Sequence, residues 1–222
     1  MKHLLSAKHL FKSYGDLTVL NDISLDIKNN EIVTIVGPSG AGKTSLLHIL
    51  GTLDKPDINV QTSLSIEGIN TTQLSNKGLA EFRNQNMGFI FQFHELLPEF
   101  TALENVCLPT WLGNKTSNKT QEKAMYLLER LDVVNRASHK PTSLSGGEQQ
   151  RVAAARALIN NPKIIFADEP SGNLDSENAD QLHNLFFELR EEQGCSFVIV
   201  THNKDLAKRA DRTIQLKDGI IY

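Results

Sequence analysis

The sequence predicts an α/β protein in which a parallel sheet with interleaved helices carries an antiparallel β-layer and a helical insertion. Three observations support this. Short apolar runs at 31–36, 163–168 and 196–201 alternate with stretches of helical spacing, the pattern of βαβ crossovers. The first 27 residues instead alternate weakly between apolar and polar, as antiparallel strands do. The span 93–160 reads as mostly helical.

The elements follow in order. Residues 4–11 and 18–27 read as two antiparallel strands joined by a turn at Tyr14-Gly15-Asp16, and Ile23, Leu25 and Ile27 share one face of the second. Residues 28–30 form a turn into the central strand 31–36. A further strand of the β-layer is expected at 64–68. Residues 79–83 are helical, and 87–92 make a short apolar strand. The long connection 93–112 contains Thr101-Ala102-Leu103-Glu104, which starts like an N-capped helix. Ala124, Leu127, Leu128 and Leu131 give helical spacing over 121–131. A helix at 178–193 separates the last two apolar runs. The chain finishes on a strand at 213–216 and a hairpin turn at Lys217-Asp218-Gly219.

A length of 222 residues allows one domain with a substantial core, or a core plus a subdomain. The formal net charge of −3 gives no support for nucleic-acid binding. Cys107 and Cys195 match no zinc or redox spacing and sit in apolar surroundings, so they read as buried structural thiols, which suits a reducing compartment. The opening apolar stretch is too short for a signal peptide, and no run is long enough to span a bilayer. Any membrane role is therefore expected to come through a partner.

The chemistry centres on Gly37-Pro38-Ser39-Gly40-Ala41-Gly42-Lys43-Thr44, which fits the phosphate loop G-x-x-x-x-G-K-[ST] between a strand and a helix. Glycines let backbone N–H groups turn inward around a polyphosphate, and the helix N-terminus adds its positive end. Lys43 should reach the β- and γ-phosphates, and the Thr44 hydroxyl should sit on Mg²⁺. Asp168-Glu169 ends the second apolar strand, where ligands bind in open parallel sheets. Asp168 is expected to hold Mg²⁺ through water and Glu169 to polarise an attacking water. Ser145-Gly146-Gly147 opens another helix, a second anion-binding end that also satisfies a capping box with Glu148.

Together these residues resemble the ATP-binding-cassette ATPases over essentially the whole chain. Residues 37–44 look like Walker A, 164–169 like Walker B and 144–151 like the signature motif. Gln92 resembles the Q-loop glutamine, 171–175 the D-loop, His202 the switch histidine and Tyr14 the aromatic that stacks on adenine. The resemblance implies a RecA-like P-loop NTPase core with an antiparallel β-subdomain (1–92 and 161–222) and a helical subdomain (93–160) carrying the signature, within one cassette. It implies ATP and Mg²⁺ as cofactors, with nucleotide held by Tyr14, Gly37, Pro38, Ser39, Gly40, Ala41, Gly42, Lys43, Thr44, Ser45, Gln92 and Asp168. Ser145, Gly146, Gly147 and Gln149 would close on it from the second copy of an ATP-dependent homodimer. Thr44, Gln92 and Asp168 would serve the metal, and Glu169, His202, Lys43 and Gln92 the hydrolysis.

Within that family, the chain resembles the small cassettes of lipoprotein release and macrolide efflux. Residues 88–98, the stretch Thr101-Ala102-Leu103-Glu104-Asn105-Val106 and the sequence Gly172-Asn173-Leu174-Asp175 resemble the lipoprotein-releasing type in particular, which implies an ATPase subunit powering lipoprotein release or a related export. The resemblance implies a peripheral subunit on the cytoplasmic face of the inner membrane, touching the membrane only through transmembrane permease subunits. The alternative is an ATP-gated regulatory cassette of the cell-division type, without cargo. DNA-repair cassettes would need sustained heptads between Gln92 and Leu144, and there are none. Two positions depart from the pattern: 57–65 lacks the usual glycine turn, and Ser171 stands where Thr is usual.

Overall fold

The computed structural model describes residues 3–113 and 118–222; positions 114–117 of the expected helical insertion lie outside the described residues. Strands β1 (Leu5–Tyr14) and β2 (Leu17–Ile27) pair antiparallel across the turn at Gly15, whose φ of 59° favours glycine. Ile23, Leu25 and Ile27 are buried along one face, as the alternation predicts. β3 (Ile32–Val36) is followed by α1 (Lys43–Leu50). β4 (Ser63–Ile66) and β5 (Ile69–Asn70) complete a four-stranded antiparallel sheet in the order β2-β1-β4-β5. The strand expected to run to 68 stops at Ile66 because Glu67 and Gly68, both at positive φ, turn the chain into β5. Where the glycine turn is missing, Asn59 Oδ1 accepts the N–H groups of Gln61 and Thr62, an Asx turn that does the same work.

α2 (Asn76–Asn86) leads into β6 (Met87–Ile90). α3 (Ala102–Leu112) starts at a capping box between Thr101 and Glu104 and packs with α4 (Asn118–Arg130) and α5 (Gly146–Leu158). β7 (Ile164–Asp168) and β8 (Ser196–Val200) flank α6 (Ser176–Gln193), which begins two residues before the expected start because Asp175 accepts the Asn178 N–H as its N-cap. α7 (Lys204–Arg209), β9 (Arg212–Lys217) and β10 (Ile220–Ile221) end the chain.

The second sheet runs β10-β9-β3-β8-β7-β6 and is parallel throughout except for the β9–β10 hairpin. The inner strands β3, β7 and β8 are buried on both faces, which is why they read as continuous apolar runs. Successive residues therefore feed two different cores. Ile165, Ala167, Phe197 and Ile199 join the core of α3, α4, α5 and α6. Ile164, Phe166, Val198 and Val200 join the core against α1 and the antiparallel sheet. Cys107 and Cys195 are both buried in the helical core, where desolvation pushes each thiol up to about 11.

Candidate active site

The carboxyl ends of β3, β7 and β8 converge on a cavity of about 390 Å³. In an open parallel sheet this end binds ligands, because loops meet there and helix N-termini point toward it. Its lining includes Ser39, Gly40, Gly42, Lys43, Thr44, Ser45, Gln92, Asp168, Glu169 and His202, all expected from the sequence. It also includes Val19 and Val200, which carried no motif signal.

The phosphate loop links Val36 to Lys43. Gly37 is wedged under the C-terminal hairpin, where a Cβ would lie 1.9 Å from the Leu216 carbonyl oxygen. Only glycine fits that approach. Lys43 is buried, and its Nζ donates to the carbonyls of Gly37 at 3.0 Å and Pro38 at 2.9 Å. Both acceptors are neutral carbonyls, so this buried cation keeps its charge for the cavity, where it also lowers the Glu169 carboxyl. The Thr44 hydroxyl donates to Asp168 Oδ1 at 3.4 Å, placing the two expected metal-side groups together.

Glu169 sits just beyond β7 at φ 44°, a strained left-handed conformation for a residue with a long side chain. Its N–H donates to the Val200 carbonyl, which fixes the turn. One carboxylate oxygen, Oε2, accepts the His202 N–H at 3.2 Å. The other, Oε1, lies 3.1 Å from His202 Nε2 without hydrogen-bonding alignment and is buried with no hydrogen bond. Burial pushes this carboxyl up, reinforced by Asp168 and opposed by His202 and Lys43. A carboxylate raised in this way and holding an unused oxygen is suited to accept a proton from water.

The loop after Glu169 closes the arrangement. A Cβ on Gly172 would lie 3.2 Å from Gln92 Nε2 and 3.3 Å from the Glu169 carbonyl oxygen, so the loop packs closely between the glutamine side chain and the Glu169 backbone. Asn173 Nδ2 donates to the Gln92 carbonyl at 3.0 Å. Within the loop itself, Gly37, Pro38 and Ala41 shape the backbone without lining the cavity.

Two groups of expected residues stand apart from this cavity. Tyr14 is half exposed at the end of β1, and its hydroxyl donates to Asp54 Oδ2 at 2.7 Å. Ser145, Gly146, Gly147 and Gln149 line no part of the cavity, so one chain does not unite its two anion-binding ends. Ser145 and Glu148 form the expected capping box. Gln149 Nε2 is turned inward, donating to the carbonyls of Pro141 and Leu144 at 3.0 and 3.1 Å, where it braces the turn. Sequence reading gave no warning that His94 Nε2 lies 2.9 Å from the Gly146 carbonyl, or that Arg156 donates to the carbonyls of His94 and Glu95. These contacts tie the segment after Gln92 to the start of α5.

The model of the ABC transporter family matches residues 20–172. The chain belongs to that family. This ABC cassette is 54% identical over 218 residues to the lipoprotein-releasing system ATP-binding protein LolD of Bacteroides thetaiotaomicron, covering 98% of this chain and 99% of that relative. It is 52% identical over 221 residues to the LolD of Cytophaga hutchinsonii, covering the whole of both chains. Among solved structures, the cassette is similar to the ATP-binding cassette MJ0796 in a dimeric post-hydrolysis state bound to ADP and Pi. That match has a TM-score of 0.89 at 40% identity and covers 98% of this chain and 96% of the other. The fold expected from the sequence is thus the family fold, and the cassette is an ATP-hydrolysing one.

Proposed function

We propose that this chain is the ATPase subunit of a lipoprotein-releasing transporter, acting as an ATP-dependent homodimer beneath transmembrane permease subunits on the cytoplasmic face of the inner membrane. The observation that carries the catalytic part is the meeting of Lys43, Asp168, Glu169 and His202 around one cavity. The names of the relatives support the cargo. No helix among the described residues is long and apolar enough to cross a membrane, which fits a subunit held there by its partners.

Phosphoryl transfer asks for positioning and charge stabilisation more than for covalent chemistry. Backbone N–H groups of the phosphate loop, together with Lys43, bind the β- and γ-phosphates. Glu169 orients the attacking water and takes up its proton at Oε1, while His202, already braced by Glu169, donates to the γ-phosphate. Among the described residues no cluster of three or more His, Cys, Asp or Glu side chains could hold a metal alone. Thr44, Asp168 and Gln92 fit Mg²⁺ instead, because that ion is held by few protein groups and completed by substrate oxygens and water. When bound, it neutralises charge on the β- and γ-phosphate oxygens. Ser145, Gly146, Gly147 and Gln149 complete the site across a two-fold axis, Gln149 through the turn it braces. Tyr14 stacks on the base. The helical subdomain 93–160 passes nucleotide state from Gln92 to the permease.

Glu169→Gln tests this reading, since it keeps shape and removes charge. Phosphate release is expected to fall about 10²- to 10⁴-fold while ATP affinity is retained. A rate like that of the unaltered chain would remove Glu169 from the mechanism. Co-purification with a permease, followed by ATP-driven lipoprotein release from proteoliposomes, tests the cargo. A permease complex that hydrolyses ATP and releases nothing would favour the regulatory reading.

A further inference from the structure

Tyr14 is held by a small ionic cluster with Lys12 and Asp54, none of which lines the phosphate cavity. Asp54, in the turn that follows α1, accepts the Tyr14 hydroxyl at 2.7 Å on Oδ2. The same carboxylate takes Lys12 Nζ at 2.9 Å on Oδ1 and 2.8 Å on Oδ2, and the Lys55 N–H at 2.7 Å on Oδ1. Lys12 is nearly buried, donates also to the Lys55 carbonyl at 2.8 Å, and lies over the Tyr14 ring 4.9 Å from its centroid. One ring face is therefore covered by an ammonium, while the residue as a whole remains 52% exposed.

The placement of Asp54 matters. The Asp54 N–H donates to the His48 carbonyl, so the carboxylate is fixed to the C-terminal end of α1. The other end of α1 begins at Lys43, inside the phosphate loop. A short helix is rigid along its axis. The aromatic ring and the phosphate-binding lysine are thus tied to opposite ends of one strut, although Tyr14 belongs to a different sheet.

We propose that Asp54, together with Lys12, is a positioning residue for the nucleotide base: it locks the Tyr14 ring with one face closed and one open, at a set distance from the phosphate loop. The proposal rests on the reading of Tyr14 as the base-stacking residue. A purine whose phosphates lie at 37–44 meets a ring that is already ordered, and the ordering of that side chain is not charged against binding. Aromatic stacking and a cation on the far face act on the base alone. The cluster therefore serves the base and leaves the phosphates indifferent.

The test compares ATP with inorganic tripolyphosphate by calorimetric titration of the full chain in the presence of Mg²⁺. Asp54→Ala is expected to weaken ATP roughly three- to tenfold, the range that corresponds to one freed side chain, and to leave tripolyphosphate unchanged. Asp54→Asn keeps an acceptor for the tyrosine hydroxyl and should restore most of the ATP affinity. Tyr14→Phe removes only the hydroxyl at an exposed position, and should weaken ATP alone; adding Asp54→Ala to it should then cost less than Asp54→Ala costs by itself. If Asp54→Ala does not fold, the Tyr14→Phe result decides. Equal loss of ATP and tripolyphosphate, or ATP affinity unchanged in both Asp54→Ala and Tyr14→Phe, overturns the proposal and leaves the cluster a structural tie. Tyr14→Ala separates the two levels. If it binds ATP as tightly as the unaltered chain, the stacking reading falls and the proposal with it. If it weakens ATP while the Asp54 variants do not, only the proposal falls.

Discussion

The imidazole of His183, buried on α6, lies 2.9 Å from the hydroxyl of Ser171 in the loop that carries Gly172 against Glu169 and Gln92. Burial pushes this histidine down, with Arg209 acting the same way and Asp180 against it. Its folded-state value is therefore depressed, so the fold favours the neutral ring. The resulting stability is fully present above the ordinary histidine value of about 6.5 and is lost as pH falls below it. Urea unfolding midpoints should drop between pH 7 and pH 5.5 more steeply in the native chain than in His183→Leu. Identical slopes would show that the ring contributes nothing to the pH response.

Lys43→Ala removes the only lysine or arginine among the described residues lining the cavity. Hydrogen bonds to charged groups are worth about 1.5–3 kcal/mol, so ATP affinity should fall at least about tenfold. Titration with a fluorescent ATP analogue measures it. Unchanged affinity would take the phosphate-loop assignment away.

Ser145→Arg places a long cation at the start of α5, far from any role in binding nucleotide to its own chain. In the Glu169→Gln background with ATP, size-exclusion chromatography should show dimers, and adding Ser145→Arg should return monomers. Isologous symmetry makes both sites fail at once, which sharpens the change. Dimers that persist in the double variant would count against α5 as the trans half of the site.

Gly37→Ala forces a methyl group onto the Leu216 carbonyl, 1.9 Å away. Overpacking of this kind costs about 1–3 kcal/mol, and here the strain falls on β9 as well as the loop. Thermal unfolding should shift down by several degrees, with ATP binding weakened in parallel. A variant with native melting and binding would mean that the hairpin yields without effect.

The sequence revealed those features that are local. The phosphate loop was legible because its glycines and lysine are required by backbone geometry within eight neighbouring positions. The strands of the parallel sheet were legible because burial on both faces leaves no polar position, as at Ile164, Ile165 and Phe166. The N-capped helix start at Thr101 and the capping box at Ser145 were legible for the same reason of short range. The partners of Tyr14, His94 and Ser171 were not. Asp54 is 40 residues from Tyr14, Gly146 is 52 from His94, and His183 meets Ser171 from another turn of chain. A side chain that completes a contact across the fold leaves no periodic trace, since its position is set by packing that the pattern does not encode. The end of β4 was missed through turn chemistry, because Glu67 adopts a conformation more often left to glycine or asparagine.

The alternation of β7 and β8 between two cores has a consequence for how such a chain can change over time. Ile165 and Ala167 serve one core, Ile164 and Phe166 the other. Substitution at any one of them touches a single side. Deletion of one residue within either strand is a different event: every side chain beyond the gap changes sides and both cores are mispacked together, and a gap in β7 also swings Asp168 away from Thr44. Insertions in the surface turn at 57–62 carry no such penalty, since Asn59 closes that turn by its own side chain. The chain is free to drift in length at its rim, and its central strands are held to a fixed count.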